Sequence, residues 1–512
     1  MKNNNDFSSN DMGELSMLVR SLKKNEQKQL RNYIEQQKNG PLLKARMLEQ
    51  LIKLTAYNEV QLKQKLKIGA PQFITLKKEL IEDVTSFLLN DKTKISSKIG
   101  LFRTCVQHNV PHIAEKFLKE IRTIQHLQYL PHLKLDFLKA EYDFFCLTNA
   151  RKTTQSQIAL EEKINVAIKV LYDYELLLSH LRKLVHLRTV SNVRVTNEEM
   201  QDARLEYEFL NGFEFDRSHP VLCVLHQTNL AIAGYLCHEK QTTLKATETF
   251  LSVWQNKPEL ATLYPDVFLE SSKICFYIYF LWSTPSEARE LSFILDRIAC
   301  ERLSGKDSDK WKVIMFHTRL KVFLKTAGFN GVQKLVEDEW AQILEYSRGL
   351  FSLKDHLSIA ASVCLTQFIL GNFKNADELM YEIKDLNKTA QAEDIFYFSS
   401  VFHLMILFEL KDWYRFQLTL DAAYRQLYKL KKKRAFEKEL MLFLKKLSNL
   451  STMPRYRDHT VQFMKKLEIY RQDPVTKLYF LYFNYYGWLS SKLEGIDYKL
   501  YVARSLGLSA PL

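Results

Sequence analysis

The stretch LSIAASVCLTQFILGNFKNADELMYEIKDL, residues 357–386, decides the fold that we predict for this chain. It reads as one helix, a tight turn at Gly371–Asn372 and a second helix. Apolar and small residues repeat at helical spacing in both helices, with Phe368 in the first and Ala376 and Met380 in the second. Two short helices cannot bury such faces alone, so we expect neighbouring hairpins to pack against them.

The composition of the 512 residues favours an all-α fold. Only 14 glycines and 11 prolines interrupt the chain, while 46% of the residues are apolar and 26% are charged. Such a chain favours long helices joined by short turns over a β-rich fold. The longest strongly apolar run, ICFYIYFLW at residues 274–282, is well short of the roughly 20 residues that a membrane helix needs. We therefore predict a buried helix there and no membrane span.

The hairpin recurs from about Ile99 onward with a step of 40 to 45 residues. The marker of the repeat is Ala376, near the start of the second helix of the hairpin. The corresponding positions elsewhere are Ala114, Ala159, Ala203, Ala246, Ala288, Val332, Phe416 and Thr460. A period of this size is the signature of stacked helical repeats. The sequence therefore predicts a right-handed α-solenoid of about nine hairpins.

Shifts in composition divide the chain into five predicted parts. They are a loose polar tail at 1–11, an N-terminal helical module at 12–95, the helical-repeat solenoid at 96–472, an aromatic C-terminal cap helix at 473–499 and a tail at 500–512. The module has several short amphipathic helices separated by glycine and proline breakers. The cap, whose sequence is PVTKLYFLYFNYYGWLSSKL, is expected to cover the exposed face of the last hairpin.

The hairpin at 357–386 resembles a tetratricopeptide repeat. Gly371, Phe373, Ala376 and Met380 stand where that motif has its turn glycine, its aromatic, its small and its bulky residue. The period of this chain exceeds the roughly 34 residues of that repeat. The resemblance implies tetratricopeptide-like hairpins with lengthened helices.

A second resemblance spans the whole chain. The segments VRSLKKNEQKQLRNY, LKQKLKI, FITLKKELIEDVTSFLL and YYGWLSSKL resemble the matching segments of a family of uncharacterised bacterial α-helical repeat proteins. That resemblance implies a fold and no activity.

The formal net charge of +14 is concentrated in two basic regions. Residues 1–100 hold 18 Lys and Arg against 11 Asp and Glu, and residues 411–470 hold 15 against 6. A basic region attracts nucleic acid, anionic lipid or an acidic protein surface, and charge alone does not choose among them. The densest run is KLKKKR at 429–434, which reads either as a solvated helix end or as a docking patch for an acidic partner or nucleic acid.

Motifs for catalysis and nucleotide binding are absent from the sequence. It contains no G-x-x-x-x-G-K-[ST], G-x-G-x-x-G, G-x-S-x-G or H-E-x-x-H. His108 and His112 are four residues apart, but Pro111 lies between them and ends that helix, which argues against a metal site. The seven scattered cysteines are typical of reduced thiols in a cytosol. We predict a cytoplasmic, non-enzymatic protein with no catalytic residue, cofactor or metal.

The segment 58–80 has two interpretations. As a helix-turn-helix, it would place Gln72, Thr75, Lys77 and Lys78 in the major groove of DNA and three lysines of the preceding helix on the phosphates. As a structural element, it would cap the repeat array, because apolar residues occupy much of the supposed reading helix.

The predicted function is that of a protein–protein interaction scaffold or adaptor. Stacked hairpins would curve into a groove lined by first-helix side chains, which would hold a peptide or partner helix of a protein of unknown identity. The alternative is a nucleic-acid-binding transcription regulator that uses the segment 58–80, with the helical repeats as a sensor domain. The candidate residues for an anionic partner or nucleic acid are Lys63, Lys65, Lys67, Lys77, Lys78, Lys431, Lys432, Lys433 and Arg434.

Overall fold

The structure of the protein is a computed structural model. It describes residues 15–16, 19–20, 24–36, 41–53, 58–90, 95–107, 111–148, 154–190, 197–282, 284–326, 328–390, 393–429, 435–448, 453–472 and 483–505. These residues form α-helices and one short 3₁₀-helix, and none of them lies in a β-strand. The predicted all-α class is therefore confirmed. Among the described helices, none has the length and apolar character that a membrane crossing requires.

The α-helices are numbered in chain order. They are α1 (Lys24–Glu35), α2 (Pro41–Lys53), α3 (Glu59–Leu66), α4 (Ala70–Asn90), α5 (Ile95–Gln107), α6 (Pro111–Arg122), α7 (Pro131–Thr148), α8 (Thr154–Val190), α9 (Asn197–Gly212), α10 (Pro220–Leu236), α11 (Lys240–Asn256), α12 (Glu259–Leu263), α13 (Pro265–Trp282), α14 (Pro285–Arg302), α15 (Gly305–Lys325), α16 (Phe329–Leu350), α17 (Leu353–Ile369), α18 (Phe373–Ala390), α19 (Glu393–Leu410), α20 (Trp413–Lys429), α21 (Ala435–Ser448), α22 (Met453–Gln472), α23 (Tyr485–Glu494) and α24 (Tyr498–Ser505).

The hairpin predicted at residues 357–386 is formed by α17 and α18. Gly371 ends the first helix with φ of +83°, a left-handed conformation that glycine adopts without a Cβ clash. Its N–H donates to the Phe368 carbonyl at 3.1 Å, and the Asn372 N–H donates to the Gln367 carbonyl at 2.9 Å. These two bonds satisfy the last carbonyls of α17 and reverse the chain within one turn. The predicted helix, turn and helix are confirmed.

The marker positions of the repeat are buried with one exception. Those that lie in the core are Ala114, Ala203, Ala246, Ala288, Val332, Ala376, Phe416 and Thr460. Ala159 is exposed near the start of α8 and so differs from the other marker positions. The reason is that α8 packs on α7 through Ile164, Ala167 and Leu171, a face of the helix that does not include position 159.

Two kinds of helix alternate from α10 to α22. We call α10, α13, α15, α17, α19 and α21 the first helices, and α11, α14, α16, α18, α20 and α22 the second helices. Each first helix contacts its own second helix and also the next first helix along the chain. In α17 no residue is exposed, whereas α18 has an exposed stripe formed by Lys374, Glu378, Tyr381 and Asp385. First helices therefore pack on more than one side and second helices on one.

The chain divides into two compact units, residues 1–176 and 177–512. In the first unit, Leu62 and Phe73 of the predicted N-terminal module share one core with Phe102 and Phe117 of α5 and α6. The segment predicted at 12–95 and the helices that follow it are therefore packed together. The division between the two units falls within α8, about 80 residues later than the module boundary that the sequence predicts.

The aromatic cap predicted as one helix at 473–499 is wrong in part, because its described residues form α23 and the start of α24, separated at Gly495, whose φ is +68°. Trp488 of α23 is buried, and its indole N–H donates to the Glu409 carboxylate at 2.7 Å. Lys492 reaches the other oxygen of Glu409 at 2.6 Å, so α23 is attached to α19. The predicted cap residues before 483 lie outside the described residues. In the tail predicted at 500–512, the described residues up to Ser505 belong to α24.

Candidate functional site

Helix α20 carries an exposed apolar stripe. Phe416 and Leu420 face the core, while Tyr414 is 75% and Leu418 is 55% exposed on the opposite side. The helix begins at Trp413, and Asp412 accepts a hydrogen bond from the Arg415 backbone N–H at 3.1 Å, which stabilises its first turn. Exposed apolar side chains that follow one helix face are a mark of an interaction surface.

The stripe continues into an open groove between α20 and α21. The floor of the groove is formed by Leu420 and Met441, which are almost fully buried, and one wall is formed by Tyr424, which is 40% exposed. Its volume is ≈ 480 Å³. From Tyr414 to Arg425 the stripe and groove cover twelve helical residues, a length of about 16 Å. An apolar floor with polar edges is suited to one side of a partner helix.

The charge around this groove is predominantly positive. Arg425 and Lys445 line it and are exposed, against one acidic lining residue, Asp421. Arg425 Nε donates to the Asp421 backbone carbonyl at 3.2 Å, which holds the guanidinium beside the groove. In the described part of the chain, Arg425 has no carboxylate partner of its own. We define the α20–α21 surface as this groove together with Tyr414 and Leu418.

A buried polar network attaches α20 to its neighbours. Asp377 of α18 accepts hydrogen bonds from His403 Nε2 at 2.9 Å and from Arg415 Nη1 at 2.8 Å. Lys384 donates to His403 Nδ1 at 2.6 Å. Every ring nitrogen of His403 and both oxygens of Asp377 are thus bound to other side chains. The network holds α18, α19 and α20 in register, and it leaves no group of His403 or Asp377 to act on a substrate.

The charges of this network follow from its geometry. Burial, together with the adjacent Lys384 ammonium, lowers the pKa of His403 to about 4. Burial also lowers the pKa of Lys384 to about 8. A neutral His403 accepts from Lys384 on one nitrogen and donates to Asp377 from the other, which matches the observed distances. One feature of the sequence indicates this network: His403 lies within the apolar run of α19.

The candidate lysines of the first basic region differ in their environments. Lys65, Lys67 and Lys78 are exposed. Lys63 is paired with Glu59 at 2.7 Å, and its ammonium lies 5.2 Å from the Phe73 ring centroid. Lys77 is only 4% exposed. The prediction that Lys77 lies in a DNA groove is therefore wrong, because its side chain is buried in the first unit.

The helices of the predicted helix-turn-helix are α3 and the first part of α4. Asn58 caps α3 by accepting from the Gln61 N–H at 3.2 Å, and Lys67 ends it with φ of +55°. On α4, Gln72, Thr75 and Lys78 are exposed on one side, while Phe73 and Leu76 are buried on the other. The structure brings these three polar side chains to one face of α4.

The candidates of the second basic region, Lys431, Lys432, Lys433 and Arg434, lie outside the described residues. By chain order they connect α20 to α21. Of the described basic residues nearby, Lys438, Lys445 and Lys446 are exposed on α21. His108, which precedes His112 by four residues, is also outside the described residues. No group of three or more His, Cys, Asp or Glu with metal-ligand geometry occurs among the residues that the structure describes.

No protein-family model, curated protein or solved structure matches this chain. The resemblance to tetratricopeptide-like bacterial proteins therefore stays a prediction.

Proposed function

We propose that this protein is a non-enzymatic adaptor that binds an acidic amphipathic helix of a protein partner on the α20–α21 surface. The observation that carries the proposal is the exposed apolar stripe of α20, which leads into a groove with an apolar floor and a basic edge. Leucine-like side chains of the partner would contact Leu418 and the groove floor. Its carboxylates would pair with Arg425.

The exposed apolar side chains of this site, Tyr414 and Leu418, lie on a second helix for a physical reason. A partner needs side chains that solvent can reach, and α17 has none that is exposed. We therefore propose that a helical partner binds the outer face of α20 and the adjoining groove, instead of a groove lined by first-helix side chains alone. Aromatic side chains such as Tyr414 lose little conformational entropy on binding, which makes them effective contacts.

We also infer that the described helices from α10 to α22 are the hairpins of the predicted solenoid. The continuous row of contacts between successive first helices supports this arrangement, because each hairpin then contacts only its neighbours. A stack of this kind presents its second helices side by side to solvent. The seven free cysteines support the cytoplasmic location that the sequence predicts.

The binding proposal is tested with the whole chain and two synthetic 18-residue helices. One has leucines on one face and glutamates on the other, and the second has lysines in place of the glutamates. Fluorescence anisotropy should detect binding of the acidic helix at least about tenfold tighter than binding of the basic one. Equal affinity for both helices would contradict the proposal.

Variants locate the binding on the surface. Leu418→Ala combined with Arg425→Glu should weaken binding of the acidic helix at least about tenfold. The matched control combines Phe293→Ala with Arg297→Glu, which changes an exposed aromatic residue and an exposed arginine on α14. An equal loss of binding in both double variants would show that the α20–α21 surface is not the site.

The natural partner is then captured from cell extract by a photo-crosslinking residue introduced at position 418. The same protein should be recovered after nuclease treatment, and the Arg425→Glu change should remove it. A crosslinking residue at position 293 should not recover it. Recovery of material that depends on nucleic acid would favour the second candidate function instead.

The second candidate function is nucleic-acid binding by α3 and α4. The specific observation in its favour is the shared solvent face of Gln72, Thr75 and Lys78, next to the exposed Lys65 and Lys67. The first unit has a continuous core, so the test uses the whole chain. Lys65→Glu, Lys67→Glu and Lys78→Glu together should abolish salt-dependent binding to duplex DNA, while Lys438→Glu should not. Unchanged DNA binding in the triple variant would exclude this role.

A further inference from the structure

The first helices α13, α15 and α17 line a cavity within the second unit. Arg188 of α8 also lines it, and its volume is ≈ 100 Å³. Aromatic rings such as Tyr277, Phe280 and Phe351 form much of its wall. A partner helix about 10 Å wide does not fit in this volume. The cavity between these first helices is therefore suited to a small molecule.

Arg188 has an incomplete set of hydrogen bonds. Its side chain is 10% exposed, and Nη2 donates to the Glu270 carboxylate at 2.8 Å. Nη1 is buried and has no hydrogen-bond partner within the described chain. A buried guanidinium N–H without an acceptor is unfavourable, so Nη1 is a donor that an acceptor group entering the site could satisfy.

Two lysines add positive charge to the cavity. Lys273 is paired with Glu270 at 2.5 Å, and its ammonium lies 5.4 Å from the Phe351 ring centroid. The Lys321 ammonium lies 4.2 Å from the Tyr277 ring centroid. Lys321 has no carboxylate partner among the described residues. Cations held against aromatic rings in this way remain available to an anion that enters the cavity.

The balance of charges identifies the charge of the ligand. Three cations surround the cavity, and the carboxylates there are those of Glu270 and Asp355. Burial acts to raise the pKa of Glu270, but the charges of Arg188 and Lys273 outweigh it and hold this pKa below its usual value. His317 also lines the cavity, and its Nε2 is hydrogen-bonded to the Ser362 hydroxyl at 3.0 Å. Burial lowers the pKa of His317 well below its usual value, so its ring is neutral. One positive charge is therefore left without a carboxylate partner among the described residues, and it is that of Lys321, which is hydrogen-bonded to Tyr277.

We propose that this cavity binds a small monocarboxylic acid with an apolar or aromatic body. The carboxylate would accept from Arg188 Nη1 and lie near the Lys321 ammonium, and the body would contact Tyr277, Phe280 and Phe351. A single negative charge matches the single cation that has no carboxylate partner, and the aromatic walls favour a ligand with an apolar body over a bare inorganic anion. This site is separate from the α20–α21 surface and does not depend on the adaptor function.

The experiment uses the whole chain and three probes, which are benzoate, benzamide and inorganic phosphate. Isothermal titration calorimetry should show saturable binding of benzoate at one site per chain. Benzamide has the same shape without the charge, and its affinity should be at least about tenfold lower. Phosphate should also bind at least about tenfold more weakly. The absence of saturable benzoate binding, or equal binding of benzamide, would overturn the proposal.

Variants assign the site. Lys321→Met removes the cation that has no carboxylate partner, so it leaves no unpaired acid behind, and it should weaken benzoate binding at least about tenfold. Lys312→Met is the matched control, because Lys312 is on the same helix and lies 5.2 Å from the Tyr346 ring centroid outside the cavity. It should change the affinity by less than about twofold. Arg188→Lys keeps the charge but removes Nη1, and it should also weaken binding. Benzoate affinity that is unchanged in both cavity variants would contradict the assignment, and circular dichroism verifies that each variant is folded.

Discussion

The first and second helices of the second unit differ in how much of their surface they bury. A first helix such as α19 is apolar on nearly all sides, and all of its residues from Ser399 to Leu407 are buried. The next second helix, α20, buries Phe416 and Leu420 on one face and leaves Tyr414 and Leu418 in solvent. The stability of the unit therefore depends mainly on first helices. The proposed recognition of a helical partner would use Tyr414 and Leu418, because on α20 these apolar side chains reach solvent.

The largest expected effect comes from removing an aromatic ring of a first helix. Phe402 of α19 is fully buried, and its ring centroid lies 4.9 Å from those of Phe368 and Phe398. Phe402→Ala should lower the free energy of unfolding by about 3–5 kcal/mol in urea denaturation. The matched change Phe293→Ala, on the exposed face of a second helix, should lower it by less than about 0.5 kcal/mol. Equal losses would contradict the division of roles between the two kinds of helix.

A smaller effect is expected from the polar network that joins both kinds of helix. The pKa of His403 is about 4 in the folded chain, compared with a reference value of 6.5. The unfolded chain therefore binds more protons between pH 6.5 and pH 4. The free energy of unfolding should fall as the pH falls through this window, with a contribution from His403 on the order of 3 kcal/mol. Urea denaturation measured at several pH values gives this dependence.

The variant His403→Gln isolates the contribution of this histidine. It lacks the titrating ring, so its free energy of unfolding should depend less steeply on pH between 6.5 and 4. Its stability at neutral pH should also be lower, because Asp377 loses one hydrogen bond. A slope identical to that of the unchanged protein would show that His403 is not the titrating group.

The turn between a first and a second helix gives an intermediate effect. Gly371 has φ of +83°, so Gly371→Ala should lower the free energy of unfolding by about 1–2 kcal/mol through backbone strain. Gly100→Ala is the control, since that glycine lies within α5 and an added Cβ meets nothing within 4 Å. It should raise stability by roughly 0.5–1 kcal/mol because alanine favours the helix. Thermal unfolding should move the two midpoints in opposite directions, and a shift in the same direction would contradict the expectation.

The smallest effect on stability is expected on the α20–α21 surface. Tyr414→Ala combined with Leu418→Ala removes side chains that are 75% and 55% exposed. The free energy of unfolding should change by less than about 0.5 kcal/mol per site, while binding of the acidic helix should be lost. A large loss of stability would mean that these side chains support the fold, and it would remove the separation between the two kinds of helix.

The helices of the repeat region could be predicted well from sequence because their signals are local. Helical spacing of apolar residues and a glycine at the turn are enough to predict α17 and α18. The burial of the marker alanines follows from the same spacing. Ala159 is the exception, because the face that α8 buries depends on its contact with α7, which no local pattern encodes.

The candidate sites could be predicted only in part. The basic character near α20 and α21 was evident from the sequence, but the exposed stripe requires knowledge of which face of α20 is buried. Arg188, Lys273 and Lys321 come from three helices that are far apart in the chain, so their shared cavity is a product of tertiary packing. Lys77 shows the opposite case, because a lysine expected at the surface lies in a core. The sequence shows the type and spacing of residues, but which residues are neighbours in space depends on the fold.

The row of contacts between successive first helices has a consequence for how the chain folds. Each first helix contacts the next one about 40 residues away, so most interactions in the row connect nearby parts of the chain. Chains with such a low contact order close short loops and fold quickly. The two hydrogen bonds from α23 to Glu409 connect residues that are 79 and 83 positions apart, so they close a longer loop than the contacts between first helices do. We expect the hairpins to form first and in any order, and the docking of α23 to be the last event in the folding of this unit.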